Sequence, residues 1–261
     1  MKKTALITGG SRGLGFELSK QFASKNYDLI LIARNIIDLE KSAQIISDQY
    51  SVDVKTISAD LRTISSLETI NNYLHAHNIN PDVLVNNAGF GMSGFFTDLD
   101  LENQIQMINV NIGALVGLTR LLLPAMIEKK NGAILNVAST AAFFPGPLMS
   151  VYYATKTFVL YFSEALREEV KKSNIHVSTL CPGPTQTRFE ETSGLNTTRL
   201  LKRKLFPVMS AEKVAIAGFL GFQKNKRLII PGILNKTAYL LSIIFPHAIT
   251  GKVLKTLNTS V

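Results

Sequence analysis

A chain of 261 residues, 46% of them hydrophobic, is long enough to bury a sizeable core and falls within the size range of one α/β domain. The single cysteine, Cys181, excludes an internal disulfide, and the few apolar residues before Gly9 are too few for the core of a signal peptide. We therefore expect one domain, residues 1–261, in the cytoplasm. Cys181 and the four histidines have none of the spacings known for zinc ligands, so we expect no metal site.

The net charge of +9 is concentrated near the C-terminus. Residues 199–261 contain 11 Lys and Arg but a single acid, Glu212, whereas the first 198 residues contain 17 basic and 18 acidic residues. This asymmetry indicates an anionic partner, namely a membrane surface, a phosphate-bearing substrate or nucleic acid. Nucleic acid is the least favoured, because no basic helix with interleaved aromatics and no known reading motif accompanies the charge. We expect no nucleic-acid partner.

Apolar runs rich in β-branched residues alternate with segments of helical periodicity. Continuous apolar strands indicate burial on both faces, and the alternation implies right-handed crossovers. We predict an α/β fold with a doubly wound parallel sheet of about seven strands, a three-layer α/β/α Rossmann-type domain. The predicted strands are Ala5–Thr8, Leu29–Ala33, Val54–Ser58, Val83–Val85, Ala133–Val137, Val177–Leu180 and Leu228–Ile230.

Ligands of such sheets bind beyond the carboxyl ends of the strands. Polar or Gly-rich groups follow four strands at this edge: Gly9–Gly15, Asn86–Gly91, Ser139–Thr140 and Pro182–Thr187. These groups are the candidate site.

The first strand runs into Thr8-Gly-Gly-Ser-Arg-Gly-Leu-Gly15, at the start of a predicted helix. Glycines permit a tight turn and let a dinucleotide approach a helix N-terminus, where N–H groups and the helix dipole favour phosphate. The spacing G-x-x-x-G-x-G differs from the common G-x-G-x-x-G and is typical of one superfamily. A purely structural Gly-rich turn is the alternative.

The second strand ends at Ala33 and is followed by Arg34, where an NAD-preferring enzyme would have an acidic residue for the ribose hydroxyls. Arg34 would instead pair with a 2′-phosphate, and Arg12 could hold the same group from within the turn. We therefore expect NADP(H) and regard NAD(H) as less favoured. The alternative is that both arginines are solvated surface charges.

Asn111 lies in a strongly apolar segment, Met107–Leu123, where an amide is disfavoured unless it has partners. We predict that it holds a water that relays protons from Lys156. Ser139 follows the fifth predicted strand, so its hydroxyl could bind the substrate oxygen at the ligand edge; an ordinary turn or cap is the alternative.

Tyr152 and Lys156 are one helical turn apart and share a face. A tyrosine hydroxyl has a pKa of about 10, and a nearby ammonium lowers it. We predict that Lys156 makes Tyr152 a usable general acid/base. The pattern Y-x-x-x-K alone is weak.

These motifs together resemble the short-chain dehydrogenase/reductase superfamily, in family order from residue 4 to about 187. The last helices are similar, less specifically, to a subgroup of 3-oxoacyl and 17β-hydroxysteroid reductases. Ala138-Ser139 stands where the family often has Ser-Ser, which leaves the catalytic position intact. The matching pieces are Thr8 to Gly15, Asp60-Leu61, Asn86-Asn-Ala-Gly89, Asn111, Ser139, Tyr152-x-x-x-Lys156 and Pro182-Gly183.

The resemblance implies a catalytic set. It implies that Tyr152 exchanges the proton, Lys156 lowers its pKa and binds the nicotinamide ribose, Ser139 orients the carbonyl and Asn111 completes the relay. It places Asp60 at the adenine edge and makes Asn86 a strand-fixing residue. The residues expected at the cofactor are Thr8, Gly9, Ser11, Arg12, Gly13, Leu14, Gly15, Arg34, Asp60, Leu61, Asn87, Ala88, Gly89, Tyr152, Lys156, Pro182, Gly183, Thr185 and Thr187.

The implied function is NADPH-dependent reduction of a carbonyl by a homodimer or homotetramer. Residues 185–209 are predicted to form a helical flap whose apolar side chains favour a lipophilic substrate such as a 3-oxoacyl thioester, retinoid or steroid; simple packing of the flap is the alternative. A non-catalytic NADP-binding sensor would have lost a catalytic residue, and a membrane-bound structural protein would need a spanning helix that Leu228–Thr250 does not supply. The flap side chains are Phe189, Leu195, Leu200, Leu201, Leu205, Phe206 and Met209.

The C-terminal tail, residues 233–261, combines apolar residues with lysines. Such a segment could lie peripherally on a membrane. The favoured alternative is that it packs against the sheet or forms a subunit interface.

Overall fold

The computed structural model describes residues 2–187, 189, 193 and 208–259. Seven parallel strands form one sheet in the order β3-β2-β1-β4-β5-β6-β9, which confirms the predicted doubly wound Rossmann-type fold. Thr185–Gln186 (β7) and Met209–Ser210 (β8) pair separately. The strands of the main sheet are β1 Thr4–Thr8, β2 Asp28–Ala33, β3 Val54–Ser58, β4 Val83–Asn86, β5 Gly132–Val137, β6 Ile175–Leu180 and β9 Leu228–Ile229.

The helices lie on both faces of this sheet. A π-helical segment, Asn109–Gly113, joins the fourth and fifth helices, and short 3₁₀ helices span Thr140–Phe143 and Lys171–Ser173. The helices are α1 Gly13–Ala23, α2 Ile36–Tyr50, α3 Ser65–Ala76, α4 Leu101–Ile108, α5 Ala114–Glu128, α6 Ser150–Glu169, α7 Ala211–Gln223, α8 Ile233–Ile244 and α9 His247–Asn258.

The two largest apolar clusters of the core lie on opposite faces of the sheet. Successive side chains of β1 point to opposite faces, so Leu6 joins one cluster and Ile7 the other. Helices α1, α2 and α7 cover the Ile7 face, where the rings of Phe22 and Phe219 meet edge to face at 4.8 Å. Helices α3, α5 and α6 cover the Leu6 face.

The predicted strand bounds agree with the observed ones to within two residues. Polar residues such as Thr4 and Asp28 pair in the ladder although the apolar pattern begins after them. The predicted helical flap lies mostly outside the described residues, but its two ends form β7 and β8, so Met209 belongs to a strand. Leu195, Leu200, Leu201, Leu205 and Phe206 are not among the described residues.

Among the described residues, the helical run Leu101–Glu128 is long and apolar enough to cross a membrane by length and composition alone. Its buried side chains, including Leu118 and Leu122, pack against the sheet. The segment Leu228–Thr250, considered as a spanning helix, is instead divided among β9, α8 and the start of α9.

Candidate active site

A cleft of about 1160 Å³ lies at the carboxyl ends of the strands, beside the point where the chain switches from β1 to β4. Such a switch point is where ligands of doubly wound sheets bind. The cleft contains every residue expected at the cofactor except Thr8. Its lining includes Gly9, Ser11, Arg12, Gly13, Leu14, Gly15, Arg34, Asp60, Leu61, Asn87, Ala88, Gly89, Ser139, Tyr152, Lys156, Pro182, Gly183, Thr185 and Thr187.

The turn from Gly9 to Gly15 requires glycine, because a side chain would either strain the backbone or clash with neighbouring atoms. Gly9 and Gly13 have φ of 67° and 57°, in the left-handed region that favours glycine. A Cβ on Gly15 would lie 2.1 Å from the Gly9 carbonyl oxygen and 2.5 Å from the Asn87 amide nitrogen. Helix α1 begins at Gly13 without a side-chain cap, so its N-terminal end faces the cleft ready for an anion.

Thr8 has a supporting position at the end of β1, and its expected cofactor contact stays a prediction. Its buried hydroxyl accepts hydrogen bonds from the backbone N–H groups of Asn87 and Ala88, both at 3.0 Å, and donates to the Val85 carbonyl at 3.3 Å. A threonine at the end of a buried strand directs its hydroxyl toward whichever backbone groups lack partners. Thr8 therefore holds the segment after β4 against β1.

Arg12 and Arg34 are exposed at one end of the cleft. Among the described residues neither guanidinium takes part in an ion pair. Asn35, which follows Arg34, caps α2 by accepting from Ile37 and Asp38. Two unpaired guanidiniums at one end of the cleft leave that end electropositive.

Asp60 lines the neighbouring part of the cleft, but its carboxylate is already engaged. The Arg62 Nε lies 2.9 Å from both carboxylate oxygens, and this contact holds the pKa of Asp60 below its usual range. Arg62 also donates to Gln106 on α4 at 3.1 Å. Sequence reasoning missed Arg62, because an arginine two residues after an aspartate carries no distinguishing pattern.

Ser139, Tyr152 and Lys156 meet at the other end. The Ser139 hydroxyl accepts from the Ala141 N–H at 3.1 Å, which makes Ser139 the cap of the short 3₁₀ helix as well as a cleft residue. Both Tyr152 and Lys156 are buried in the first turns of α6. Lys156 donates to the Val137 carbonyl at 3.0 Å, so the end of β5 fixes its ammonium.

Burial changes the pKa of both Tyr152 and Lys156. It raises the pKa of Tyr152 above its ordinary value, opposed by a hydrogen bond with Ser139. The Lys156 ammonium lies 5.9 Å from the centre of the Tyr152 ring, and burial lowers its own pKa to about 8. That Lys156 makes Tyr152 a usable general acid/base stays a prediction.

Asn111 lies in the π-helical segment between α4 and α5. Its side chain accepts from the Phe90 N–H and donates to the Phe90 carbonyl and the Thr155 hydroxyl, each at 3.0 Å. These bonds tie the segment after β4 to α6, beside Lys156. That Asn111 also holds a relay water stays a prediction.

Asn86 ends β4, and Gly89 follows three residues later in the same segment. The Asn86 amide donates to Asn136 at 2.9 Å, which agrees with its expected strand-fixing role. A Cβ on Gly89 would lie 3.3 Å from the Lys156 Nζ, so the glycine keeps the space beside the ammonium open.

The family-model comparison and the curated relatives now identify the family. Residues 3–197 match the model described as short chain dehydrogenase. The chain belongs to this family. It is 37% identical over 182 residues to the very-long-chain 3-oxoacyl-CoA reductase of Bos taurus and 35% identical over 182 residues to that of Homo sapiens. Each match covers 68% of this chain but 58% of the relative, so the chain spans under two thirds of the relatives' length.

Solved structures of the family share the fold. A short-chain dehydrogenase from Sphingobium yanoikuyae in complex with NADPH is 30% identical, with a TM-score of 0.81 over 94% of this chain and 97% of that one. The L-sorbose reductase of Gluconobacter frateurii, complexed with NADPH and L-sorbose, is 26% identical, with a TM-score of 0.77 over 89% and 97% of the two chains. The chain thus shares the fold of solved structures that hold NADPH.

Phe189, predicted as an apolar side chain of the flap, lines the cleft beside Tyr152, with the two rings tilted and their centres 5.3 Å apart. One further residue next to the cleft was missed. Asn235 on α8 packs against Gly183, where a Cβ would lie 2.3 Å from its Oδ1. The reasoning that singled out Asn111, a polar side chain in an apolar segment, would also have found Asn235.

Within the described residues no group of three or more His, Cys, Asp or Glu could hold a metal ion.

Proposed function

We propose that the chain reduces a lipophilic ketone or 3-oxoacyl thioester with NADPH. The residues of the cleft suit this dinucleotide: the glycine turn leaves room against a helix N-terminus, and Gly89 leaves room beside Lys156. Bound nicotinamide would supply the hydride. In the proposal Lys156 holds the ribose, Ser139 hydrogen-bonds the carbonyl oxygen and Tyr152 delivers a proton to it.

The observation that carries the proposal is the meeting of Tyr152, Ser139 and Lys156 at one end of the cleft. Burial raises the pKa of the Tyr152 hydroxyl, and a hydrogen bond with Ser139 opposes that shift. The phenol therefore carries a proton at neutral pH, as an ordinary tyrosine also does. Beside Ser139 it can donate that proton to an oxygen that gains negative charge, which carbonyl reduction requires.

Preference for NADPH over NADH rests on the unpaired guanidiniums of Arg12 and Arg34. A 2′-phosphate placed between them would receive charge-assisted hydrogen bonds. The names of the solved relatives with NADPH support the same choice.

Preference for a lipophilic substrate rests on the wall around Tyr152. Phe90, Met149 and Phe189 line the cleft there. The names of the curated relatives favour a long-chain 3-oxoacyl-CoA.

The proposal also includes a cytoplasmic active site and assembly into a homodimer or homotetramer. Exposed Phe158 and Tyr161 on α6 support self-association. Light scattering would measure it.

The first experiment follows NADPH consumption with 3-oxoacyl thioesters of increasing chain length. Tyr152→Phe should reduce turnover by at least about 100-fold, the usual contribution of a positioned acid, while leaving NADPH affinity within about twofold. Tyr161→Phe, an exposed tyrosine on the same helix, is the matched control and should be unaffected. Equal turnover of the wild type and Tyr152→Phe would refute the assignment.

A further inference from the structure

The two C-terminal helices each bury a single polar residue and leave several large apolar side chains exposed. Helix α8 buries one residue, Asn235, and α9 buries one residue, Asn258, which are 6% and 1% exposed. Meanwhile Ile233, Ile243 and Ile244 are 80%, 65% and 71% exposed. An amphipathic helix of a soluble domain normally buries its apolar side.

The two asparagines attach the helices to both sides of the candidate active site. Asn235 donates to the Pro231 carbonyl at 2.7 Å and packs against Gly183 of the cleft. Asn258 donates to the Pro147 carbonyl at 3.0 Å, beside the start of α6. These two anchors, with the packing of Tyr239 and Leu254, hold the helix pair beside the cleft and leave other apolar side chains of the helices outward.

The outward side carries lysines among the apolar residues. On α8, Ile233, Lys236, Leu240 and Ile243 are spaced so that they share one face. On α9, Lys252 stands between Ile249 and Val253, and all three are exposed. Long lysine stems can lie along an apolar surface while the ammonium reaches outward.

No negative charge opposes these lysines on the helices or on the segment beneath them. The sequence contains no Asp or Glu from Lys213 to Val261, and none from Ser139 to Ser163, which includes the 3₁₀ helix packed against α8. The two parts also meet at the rings of Phe143 and Tyr239, whose centres are 4.7 Å apart. The outer side of α8 and α9 therefore combines apolar side chains with lysines and carries no acidic side chain.

We propose that the outer side of α8 and α9 docks on an anionic lipid surface. Apolar area and attraction of lysines to negative headgroups add in such binding, whereas a second copy of this chain would place the same lysines against each other. Docking there would place the cleft close to the lipid phase, in which a lipophilic substrate dissolves. That last consequence rests on the proposed function; the docking itself does not.

The test is co-sedimentation of the full chain with vesicles of phosphatidylcholine alone or mixed with phosphatidylglycerol. We expect binding to the anionic vesicles that weakens in high salt. Replacing Lys236, Lys252 and Lys255 by Gln should weaken that binding roughly 100-fold, about fivefold for each lysine.

The matched control replaces Lys129, Lys130 and Lys172 by Gln. These lysines are equally exposed but precede β5 and β6, at the opposite edge of the sheet. The control loses the same charge and should bind as the wild type does. Equal losses in the two variants, or wild-type protein that stays in the supernatant at low salt, would overturn the proposal.

The mass of the protein in solution distinguishes a subunit interface from a lipid-binding surface. If Ile243→Ser with Ile249→Ser lowers the mass measured by light scattering and leaves vesicle binding unchanged, the face joins copies of the chain and the lipid proposal is wrong. Turnover of a short, soluble substrate reports separately on the proposed function, because none of these residues lines the cleft.

Discussion

Replacing Lys156 by Met should stabilise the free protein while abolishing its activity. Burial lowers the pKa of Lys156 from an ordinary 10.5 to about 8. Since one pKa unit is worth about 1.4 kcal/mol, keeping this lysine charged costs the native state about 3 kcal/mol at neutral pH. The Met variant removes that cost but leaves the Val137 carbonyl without its donor, which costs about 1 kcal/mol. The net gain at pH 7 is about 2 kcal/mol.

The sign of the pH dependence follows from proton binding. Between about pH 8 and 10.5 the unfolded state binds more protons at this lysine than the native state, so the wild type gains stability as pH rises. The Met variant lacks this term, and ionisation of Tyr152 affects both proteins alike. Its advantage should therefore shrink from about 2 kcal/mol at pH 7 to below about 1 kcal/mol near pH 9.5.

Urea unfolding at the two pH values measures this difference. Lys172→Met, at an exposed lysine, is the control and should change the free energy of unfolding by less than about 0.5 kcal/mol. NADPH titration of the Lys156 variant should show weakened binding, because the ammonium is also the proposed ribose ligand. The reasoning fails if the Met variant is no more stable at pH 7, or if its advantage is the same at both pH values.

Three other substitutions test the cofactor cleft. Arg12→Ala and Arg34→Ala should each weaken NADPH binding by about 10- to 150-fold, corresponding to roughly 1.5–3 kcal/mol, and spare NADH in calorimetric titrations; equal losses for both cofactors would contradict phosphate reading. Gly15→Ala should weaken both cofactors and lower the melting temperature, because its Cβ would lie 2.1 Å from a backbone oxygen of the turn. Gly113→Ala, where a Cβ would meet nothing within 4 Å, is the control and should leave cofactor affinity unchanged.

The sheet could be predicted because its strands are buried on both faces. Apolar runs around Leu6, Leu31 and Leu135 have no periodic polar side, which is how a central parallel strand differs from an amphipathic one. Glycine spacing then located the cleft. These features are local in sequence, so pattern alone carries them.

What the sequence did not reveal depends on contacts between distant segments. The Thr8 hydroxyl turns toward backbone groups some 80 residues away, and Arg62, beside Asp60, donates to Gln106, which is 44 residues away. Asn235 on α8 packs against Gly183 of the cleft, far beyond the motifs that define the family. Each is a polar group whose partner is set by packing rather than by spacing.

Burial of Tyr152 and Lys156 changes the pKa of both groups, in opposite directions. A lysine one turn away predicts an acidified tyrosine, but a closed pocket against Phe189 and Met149 raises the pKa of the phenol and lowers that of the ammonium. In the proposed function the protonated phenol would donate to the substrate oxygen, while the Val137 carbonyl accepts from the lysine in place of water. The buried lysine, mostly charged at neutral pH, lowers folding stability, and we infer that the chain tolerates this cost because the gain is in catalysis.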